Sequence, residues 1–461
     1  RAFRQGMKIE LRYYAMLASG LYGIIIWLGN PFVLGDHLSG QGLNPLLQDI
    51  GMMIHPPILY LGYVASVLPF LLVLSTSSLS KRQYNWIKIV SKVALAILTV
   101  GIALGSWWAY RILGWGGYWG FDPVENASLL PWIALIGVYH SAMVSNARAT
   151  RQFALLGFVL SLFSTLMVRS GLLVSVHSFS GHKPALMGFI AYFICVISYC
   201  IYYYWRDKSD KKNLPFVIKL QLLCIVFIIA LFVLTMIVPM ITDFLFGVPT
   251  LFSAEFYQKL LLPFILIVLG LMASYLVVNQ YIYLVVGIAT IGYAWYMGSI
   301  SQGLVIGASI AIILASFLSG KRNYTHIAFV VMVVFMLLNA QMSTGASFTL
   351  QLGDTFEYQG QDVTLMDITD TRTPNYVEKT LTLLVGESYL YPKMRYYPLN
   401  DLTIAIPDTL LGMINEWHIV CGSMINGKWS ITLYNQYWLR YIWGFAVLMA
   451  LSLVVSKEKR L

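Results

Sequence analysis

A bundle of about twelve membrane-crossing helices, interrupted before the last one by a small external β domain, is the fold this sequence predicts, and three observations predict it. Of 461 residues, 58% are hydrophobic and only 11% charged, with a mean hydropathy of +0.72, well outside the usual composition of soluble globular domains. Apolar runs of about 20 residues, the length needed to cross the hydrocarbon layer, recur with short polar breaks. Between the last two runs, from Ser343 to about Asn435, the pattern changes to alternating apolar and polar residues.

The runs fall at roughly 12–29, 56–75, 88–107, 129–145, 154–173, 187–205, 218–240, 259–278, 282–298, 302–319, 325–341 and 437–455. Basic residues mark alternate connections: Arg1, Arg4 and Lys8, then Lys81, Arg82 and Lys88, then Arg148 and Arg151. Arg206, Lys208, Lys211 and Lys212 continue the series, followed by Lys321 and Arg322, and by Lys457, Lys459 and Arg460. By the positive-inside rule these connections and both termini face the cytoplasm or matrix, so 30–54, 108–128, 174–186 and 342–436 face outward. The turn near Asn279 carries no charge to check the count. Topology therefore accounts for the net charge of +10. With no basic arm or domain, no nucleic-acid partner is expected.

Phe348, Leu350 and Leu352, and again Val363 and Leu365, show the two-residue period of the β domain; Gly353-Asp354, Gly360-Gln361 and Asn426-Gly427 are its turns. Aromatic and β-branched residues are too frequent there for a disordered linker. The chain thus divides into a transmembrane part over 1–341 with an aromatic outer loop at 107–132, the β domain over 342–436, and a final span with its inner tail over 437–461. Nothing repeats at a fixed period. Cys195, Cys200, Cys224 and Cys421 form neither a CxxC pair nor a CxxCH attachment site, so the chain is not itself a c-type cytochrome. No cleavable signal peptide is visible and numbering opens at Arg1, which leaves a start further upstream open.

The outer loop after the third run holds the densest aromatic stretch: Trp107, Trp108 and Tyr110, then GWGGYWGF with Trp115, Tyr118, Trp119 and Phe121. Rings at a membrane interface often form a simple belt. Here Gly114, Gly116, Gly117 and Gly120 lie between the rings and would let the backbone approach a flat ligand, so a planar-cofactor platform stands beside the belt as a reading. In the DPVE that follows, Asp122 suits an N-cap, Pro123 the first helical position and Glu125 the third. A cap explains both acids without any reaction, and a catalytic role is the alternative.

An ionisable side chain in or beside a membrane span is a functional candidate. His55 lies where the second span leaves the outer face, and His177 just beyond the outer end of the fifth, so both flank the aromatic loop. Axial ligation of haem needs two imidazoles on opposite faces, which separated helix ends can supply; two interfacial histidines are the plain alternative. His140 lies about six residues from the inner end of the fourth span, roughly 9 Å at 1.5 Å per residue, and His326 lies a few residues inside the eleventh. Antiparallel parity then puts both in the inner half of the bilayer, which permits a second bis-histidine site or two packed core histidines. His37, His182 and His418 have no such partner and read as surface residues. Arg169, near the outer end of the fifth span, either snorkels or meets a carboxylate such as a haem propionate.

WGGYWGFDPVENASLLPW resembles the tryptophan-rich WWD motif of the haem-handling protein superfamily, and within it the chain resembles the CcmF family of haem lyases in multi-subunit cytochrome c maturation. The likeness takes in LNPLLQDIGMMIHPPILYLGY around His55, PWIALIGVYH ending at His140, MVRSGLLVSVHSF around His177, TPNYVEKT, PKMRYYP and WLRYIW. It covers nearly the whole chain. The CcmC family is much shorter, and the CcsA family carries its motif near its C-terminal end, whereas about 330 residues follow it here.

The resemblance implies that His55 and His177 are axial ligands of the haem to be attached. Around it, Trp107, Trp108, Tyr118, Phe121 and Arg169 would bind the cofactor, and Trp115, Trp119, Asp122 and Glu125 would form the catalytic set. It implies that His140 and His326 hold a resident haem b, which takes electrons from quinol and reduces the substrate iron before the vinyl groups are joined to the thiols of an apocytochrome CxxCH. Implied partners are apocytochrome c, a CcmE-like haem chaperone, a CcmH-like thiol-reducing subunit, quinol and membrane lipid. The chain begins about three spans later than full-length relatives, which implies a separate N-terminal CcmF fragment. That, with the Tyr- and Ile-rich composition, favours the mitochondrial inner membrane over a bacterial plasma membrane, with the loop and β domain facing the intermembrane space. The sequence departs from the family's WGxWWxWD pattern at Tyr118, Gly120 and Phe121, so a looser platform is expected.

Two rival classes remain. One is a non-catalytic haem-binding or structural membrane subunit docked to a respiratory complex. The other is a transporter or quinone-binding protein whose histidines relay protons; the paired, broken spans of transporters are not found.

Overall fold

The structure is a computed structural model that describes residues 23, 26–27, 30, 43–76, 78–171, 175, 183–207, 209, 213–276, 280–297, 299–318 and 323–456. Among these residues are eleven α-helices, a short 3-10 helix (Pro45–Leu47) and ten strands. The helices are α1 (Ile50–Leu74), α2 (Lys81–Leu113), α3 (Pro123–Met143), α4 (Ala147–Ser170), α5 (Lys183–Arg206), α6 (Phe216–Phe246), α7 (Ala254–Leu276), α8 (Gln280–Met297), α9 (Ile300–Leu318), α10 (Tyr324–Met342) and α11 (Leu439–Val455). Ten strands lie between α10 and α11. The run expected at 12–29 falls almost entirely outside the described residues.

Among the described residues eight helices, α1, α2, α4 to α7, α9 and α10, are long and apolar enough to cross a membrane. α2 differs most from expectation. Ser80 and Gln83 cap its start reciprocally, and it runs for 33 residues to Gly114, whose φ of 67° ends it. At 1.5 Å per residue that is about 50 Å, well beyond a hydrocarbon layer of ~30 Å. Trp107, Trp108, Tyr110 and Arg111, expected in a loop, therefore ride on the end of a rigid helix. Only residues 114–122 separate α2 from α3.

The main helical core gathers Val73 of α1, Ile87 and Leu98 of α2, Leu130 and Val138 of α3, and Met236 of α6. α11 returns to the bundle, where Leu439, Ile442 and Met449 pack with Ala328 and Met332 of α10 and Tyr110 of α2.

The β region is a sandwich. β1 (Thr344–Leu350), β10 (Lys428–Tyr437), β9 (Asn415–Ile425) and β8 (Asp408–Leu411) form one sheet in that order. The other runs β2 (Thr355–Tyr358), β3 (Gln361–Arg372), β4 (Val377–Val385), β6 (Lys393–Tyr397) and β7 (Leu402–Ile406), with β5 (Ser388–Leu390) paired to β4. Leu365, Leu381 and Leu383 meet Ile419, Ile431 and Leu433 between the sheets. In the β9–β10 register Ile419 faces Leu433 and His418 faces Tyr434. Alternation therefore sends Ile419 and Leu433 into the sandwich and His418 and Tyr434 to the opposite face.

Candidate functional site

His55 sits in the second turn of α1, a helix capped by the Asp49 carboxylate accepting from the Gly51 N–H at 2.7 Å. Its Nδ1 lies 2.7 Å from the carbonyl oxygen of Gly101 on α2. Arg111 pairs with Asp49 at 2.6 Å and places its guanidinium 4.5 Å from the Trp107 ring centre, tying the start of α1 to the last turn of α2. Arg169 reaches the Tyr60 hydroxyl at 3.5 Å, five residues after His55 on α1. His177 lies outside the described residues; Ser175, two residues before it, donates to Asp122 Oδ1 at 2.7 Å.

The acids of the loop form the cap. Asp122 accepts from the Val124 N–H at 2.8 Å, and Glu125 Oε2 accepts from the Gly120 and Asp122 N–H groups at 3.0 and 3.2 Å. Asn126 fixes the turn from beneath, donating to the Phe121 carbonyl at 2.9 Å, while the Trp119 Nε1–H lies 3.4 Å from its Oδ1. Phe121, held at a φ of 55°, stacks on Tyr257 of α7 with ring centres 4.7 Å apart. Trp115 lies against Gly120, where an added methyl would stand 2.7 Å from its ring.

Three of the four loop glycines serve the protein's own packing. A methyl on Gly114 would lie 3.0 Å from Val420, one on Gly116 would run into the Tyr434 ring, and Gly120 is needed by Trp115. Gly117 alone of the four faces open space. Trp108 is 1% exposed, with Gly51 against it, so its ring is part of the core and not of an open platform.

His140 of α3 and His326 of α10 come together, with ring centres 6.4 Å apart and planes at 66°. Two iron–nitrogen bonds of ~2 Å, plus ~1.1 Å from each nitrogen to its ring centre, put axial imidazoles about 6 Å apart. The angle between the planes is free to vary, because each ring can turn about its own bond to the metal. The Nδ1 of His140 stands 2.9 Å from the Ile136 carbonyl, so its N–H is directed there and Nε2 is the acceptor nitrogen. The donor set thus fits a bis-histidine haem.

His418 corrects the expectation of a surface residue: it is 1% exposed. Its ring stacks on Tyr110 of α2 at 4.1 Å, and its Nδ1 lies 2.8 Å from the Thr409 hydroxyl. Beside it, buried Glu416 pairs with Arg440 of α11 at 3.1 Å. Gln436 donates to the Gly116 carbonyl at 2.7 Å, and Trp443 of α11 donates to Ser106, whose hydroxyl in turn donates to the Tyr118 carbonyl. The four-stranded sheet and α11 therefore grip the aromatic loop from behind. Sequence reasoning missed this junction, together with the role of Gly101 and Gly105, for which the GIALG spacing in an apolar helix was the available signal.

Residues 2–174 match the cytochrome C assembly protein family. A Rhodobacter capsulatus protein named cytochrome c-type biogenesis protein ccl1 is 29% identical over 97% of this chain and 78% of its own length. Cytochrome c-type biogenesis protein CcmF of Haemophilus influenzae is 27% identical over 95% of this chain and 77% of its own. A solved structure titled cytochrome c heme lyase CcmF superposes with a TM-score of 0.70 at 19% identity, covering 88% of this chain and 72% of that one; at that identity the likeness is one of fold.

Proposed function

We propose that the chain is a member of the CcmF family of cytochrome c-type biogenesis proteins, on the match of its first 174 residues and the likeness of nearly its whole length to CcmF proteins, and that it is the haem lyase component of a cytochrome c maturation system, holding haem while it is joined to apocytochrome c. The observation that carries this reading is the meeting of His140 and His326 at 6.4 Å. Those two side chains would hold a resident haem b. When bound, that group supplies one-electron reduction from quinol, which keeps the substrate iron ferrous.

The rest falls to the chain's own residues. His55, in the second turn of α1, and His177 ligate the haem to be attached. Trp107, Trp115, Tyr118, Trp119 and Phe121 surround it, and Arg169 meets a propionate. Thioether formation adds a cysteine S–H across each haem vinyl: sulfur bonds to one vinyl carbon, hydrogen to the other, and nothing leaves. Such an addition demands orientation of two large partners more than acid–base power. A rigid loop is what supplies it, and Asp122 and Glu125 contribute by fixing the turn that carries the rings.

A CcmE-like chaperone delivering haem and a CcmH-like subunit keeping the apocytochrome thiols reduced complete the system we envisage. The chain is a membrane protein; we assign it to the mitochondrial inner membrane on its Tyr- and Ile-rich composition, with the bacterial plasma membrane as the alternative, the compared relatives being bacterial.

Reduced-minus-oxidised spectra of the purified chain test the reading. His140→Ala and His326→Ala should each abolish a b-type signal. His55→Ala and His177→Ala should leave that signal and block holocytochrome c formation. An unchanged b-type signal in both inner variants removes the resident haem, and normal holocytochrome levels in either outer variant refute its assigned role.

A further inference from the structure

We propose that the backbone of α2 at Gly101 and Gly105 selects which nitrogen of His55 binds iron: the Gly101 carbonyl takes the Nδ1 proton, and the bare Gly105 lets the ring reach it. This inference rests on the reading of His55 as a ligand of the substrate haem.

A neutral imidazole carries one N–H and one acceptor nitrogen, and only the acceptor can coordinate a metal. The Gly101 carbonyl has no proton to give, so at 2.7 Å Nδ1 must be the donor and Nε2 the ligating atom. Inside a helix a carbonyl is ordinarily enclosed. Its first lone pair takes the N–H four residues on, and side chains lean back over the preceding turn, so that a residue at 105 covers the carbonyl at 101. A methyl on Gly105 would stand 2.5 Å from His55 Cε1, 2.9 Å from Nδ1 and 3.0 Å from Nε2, in the space the ring fills.

The approach of the two helices has the same origin. A methyl on Gly101 would lie 2.9 Å from Leu59 Cα and 3.0 Å from its backbone nitrogen, so the backbones touch one turn below His55. Gly101 and Gly105 are spaced as the small residues of close-packed membrane helices are. Here the close approach also gives the ligand a backbone partner. A hydrogen bond from the distal N–H makes an imidazole more basic and fixes its rotation about the metal bond.

The test replaces His55 with a free ligand. The full chain in detergent, as wild type and His55→Gly, is loaded with ferric haem. Imidazole and 1-methylimidazole are titrated in separate experiments, with low-spin absorption as the readout. The His140–His326 pair is common to all samples and cancels in the difference. Imidazole can ligate iron through one nitrogen and donate to Gly101 with the other, whereas 1-methylimidazole has no N–H. After normalisation to the same ligands on haem in empty micelles, imidazole should bind the His55→Gly chain about three- to tenfold more tightly, the worth of one hydrogen bond. Equal rescue by both ligands, with a spectrum that His55→Gly has altered, leaves His55 as a ligand and overturns the selection by Gly101. If His55→Gly leaves the haem spectrum unaltered, the reading of the site fails and this inference with it. Gly105→Ala, a favourable helix substitution, gives a second measure should His55→Gly not fold: it should convert the His55-ligated signal to high spin, and an unchanged spectrum and reduction potential would count against the proposal.

Discussion

Glu125 is where two explanations of one residue part company. As the third residue of α3 its carboxylate accepts two N–H groups, from Gly120 and Asp122. As an acid beside the aromatic loop it is also a candidate for chemistry. Glutamine keeps an oxygen that can accept both bonds and loses the titratable proton. Glu125→Gln should therefore retain holocytochrome c formation to within about threefold, while Glu125→Ala should lower the unfolding midpoint by the equivalent of ~1 kcal/mol, as caps do. A Glu125→Gln chain as stable as wild type but inactive would show that the carboxyl group reacts. Asp122, Pro123 and Glu125 were legible in the sequence because a cap is a local matter, decided within four residues. Trp108 was not: its neighbour Trp107 meets Arg111, while Trp108 itself turns inward against Gly51. Which of two adjacent tryptophans faces out depends on a helix nearly sixty residues away, and no local pattern carries that.

At the level of elements, the α1–α2 crossing sets the position of His55, and its glycines differ in what they touch. A methyl on Gly62 would stand 2.5 Å from Leu98 Cδ2 and 2.7 Å from Cγ, with the Leu98 backbone nitrogen at 3.2 Å, so its closest clash is with a buried side chain that can give only in part. A methyl on Gly101 would meet Leu59 backbone, which cannot. Alanine gains about 1 kcal/mol of helix propensity at either place, and overpacking costs about 1–3 kcal/mol. Gly62→Ala should thus cost less than Gly101→Ala, which should destabilise by ~1–2 kcal/mol, with helix separation and loss of haem at His55 in the second only. Denaturant unfolding of both variants in the same detergent checks the order; Gly101→Ala equal to or more stable than Gly62→Ala would mean that the helices do not touch there. Most helices and the β region were legible because apolar run length and two-residue alternation are strong periodic signals. The C-terminal end of α2 was not, since a hydropathy window closes where the apolar run does, while a capped helix continues to Gly114.

Across the whole molecule, the β sandwich is joined to the bundle through a face that reads as polar. β9 carries Glu416, His418 and Val420 at alternate positions, which in an isolated sheet would be its solvent side. They are covered because α2 projects far enough for Tyr110 to stack on His418 and for Gly114 to meet Val420. The surface reading of His418 failed for that reason. Burial depresses the His418 pKa to about 4, below its ordinary value of 6.5, so the folded junction holds it neutral. The unfolded chain takes up a proton near 6.5 and the folded one only near 4. The junction's stability is therefore complete above about pH 6.5 and is lost as pH falls toward 4, by an amount on the order of 3 kcal/mol. Glu416 opposes this. Its pKa is raised, by burial above all and against the pull of Tyr110 and Arg440, so protonating it as pH falls favours the folded state. Comparison with His418→Gln separates the two, because glutamine leaves Glu416 and Arg440 in place and removes the imidazole titration. Melting of the full chain in detergent should show the transition of the β region falling between pH 7 and pH 5 in wild type, with a smaller fall in His418→Gln. The Tyr434 and Gln436 contacts with Gly116 lie on the same face. Loosening of the junction should therefore reach the aromatic loop, and tryptophan emission from the loop should shift over the same pH window in wild type. Equal pH dependence of melting in both chains would mean that His418 titrates freely and that the junction is open to water.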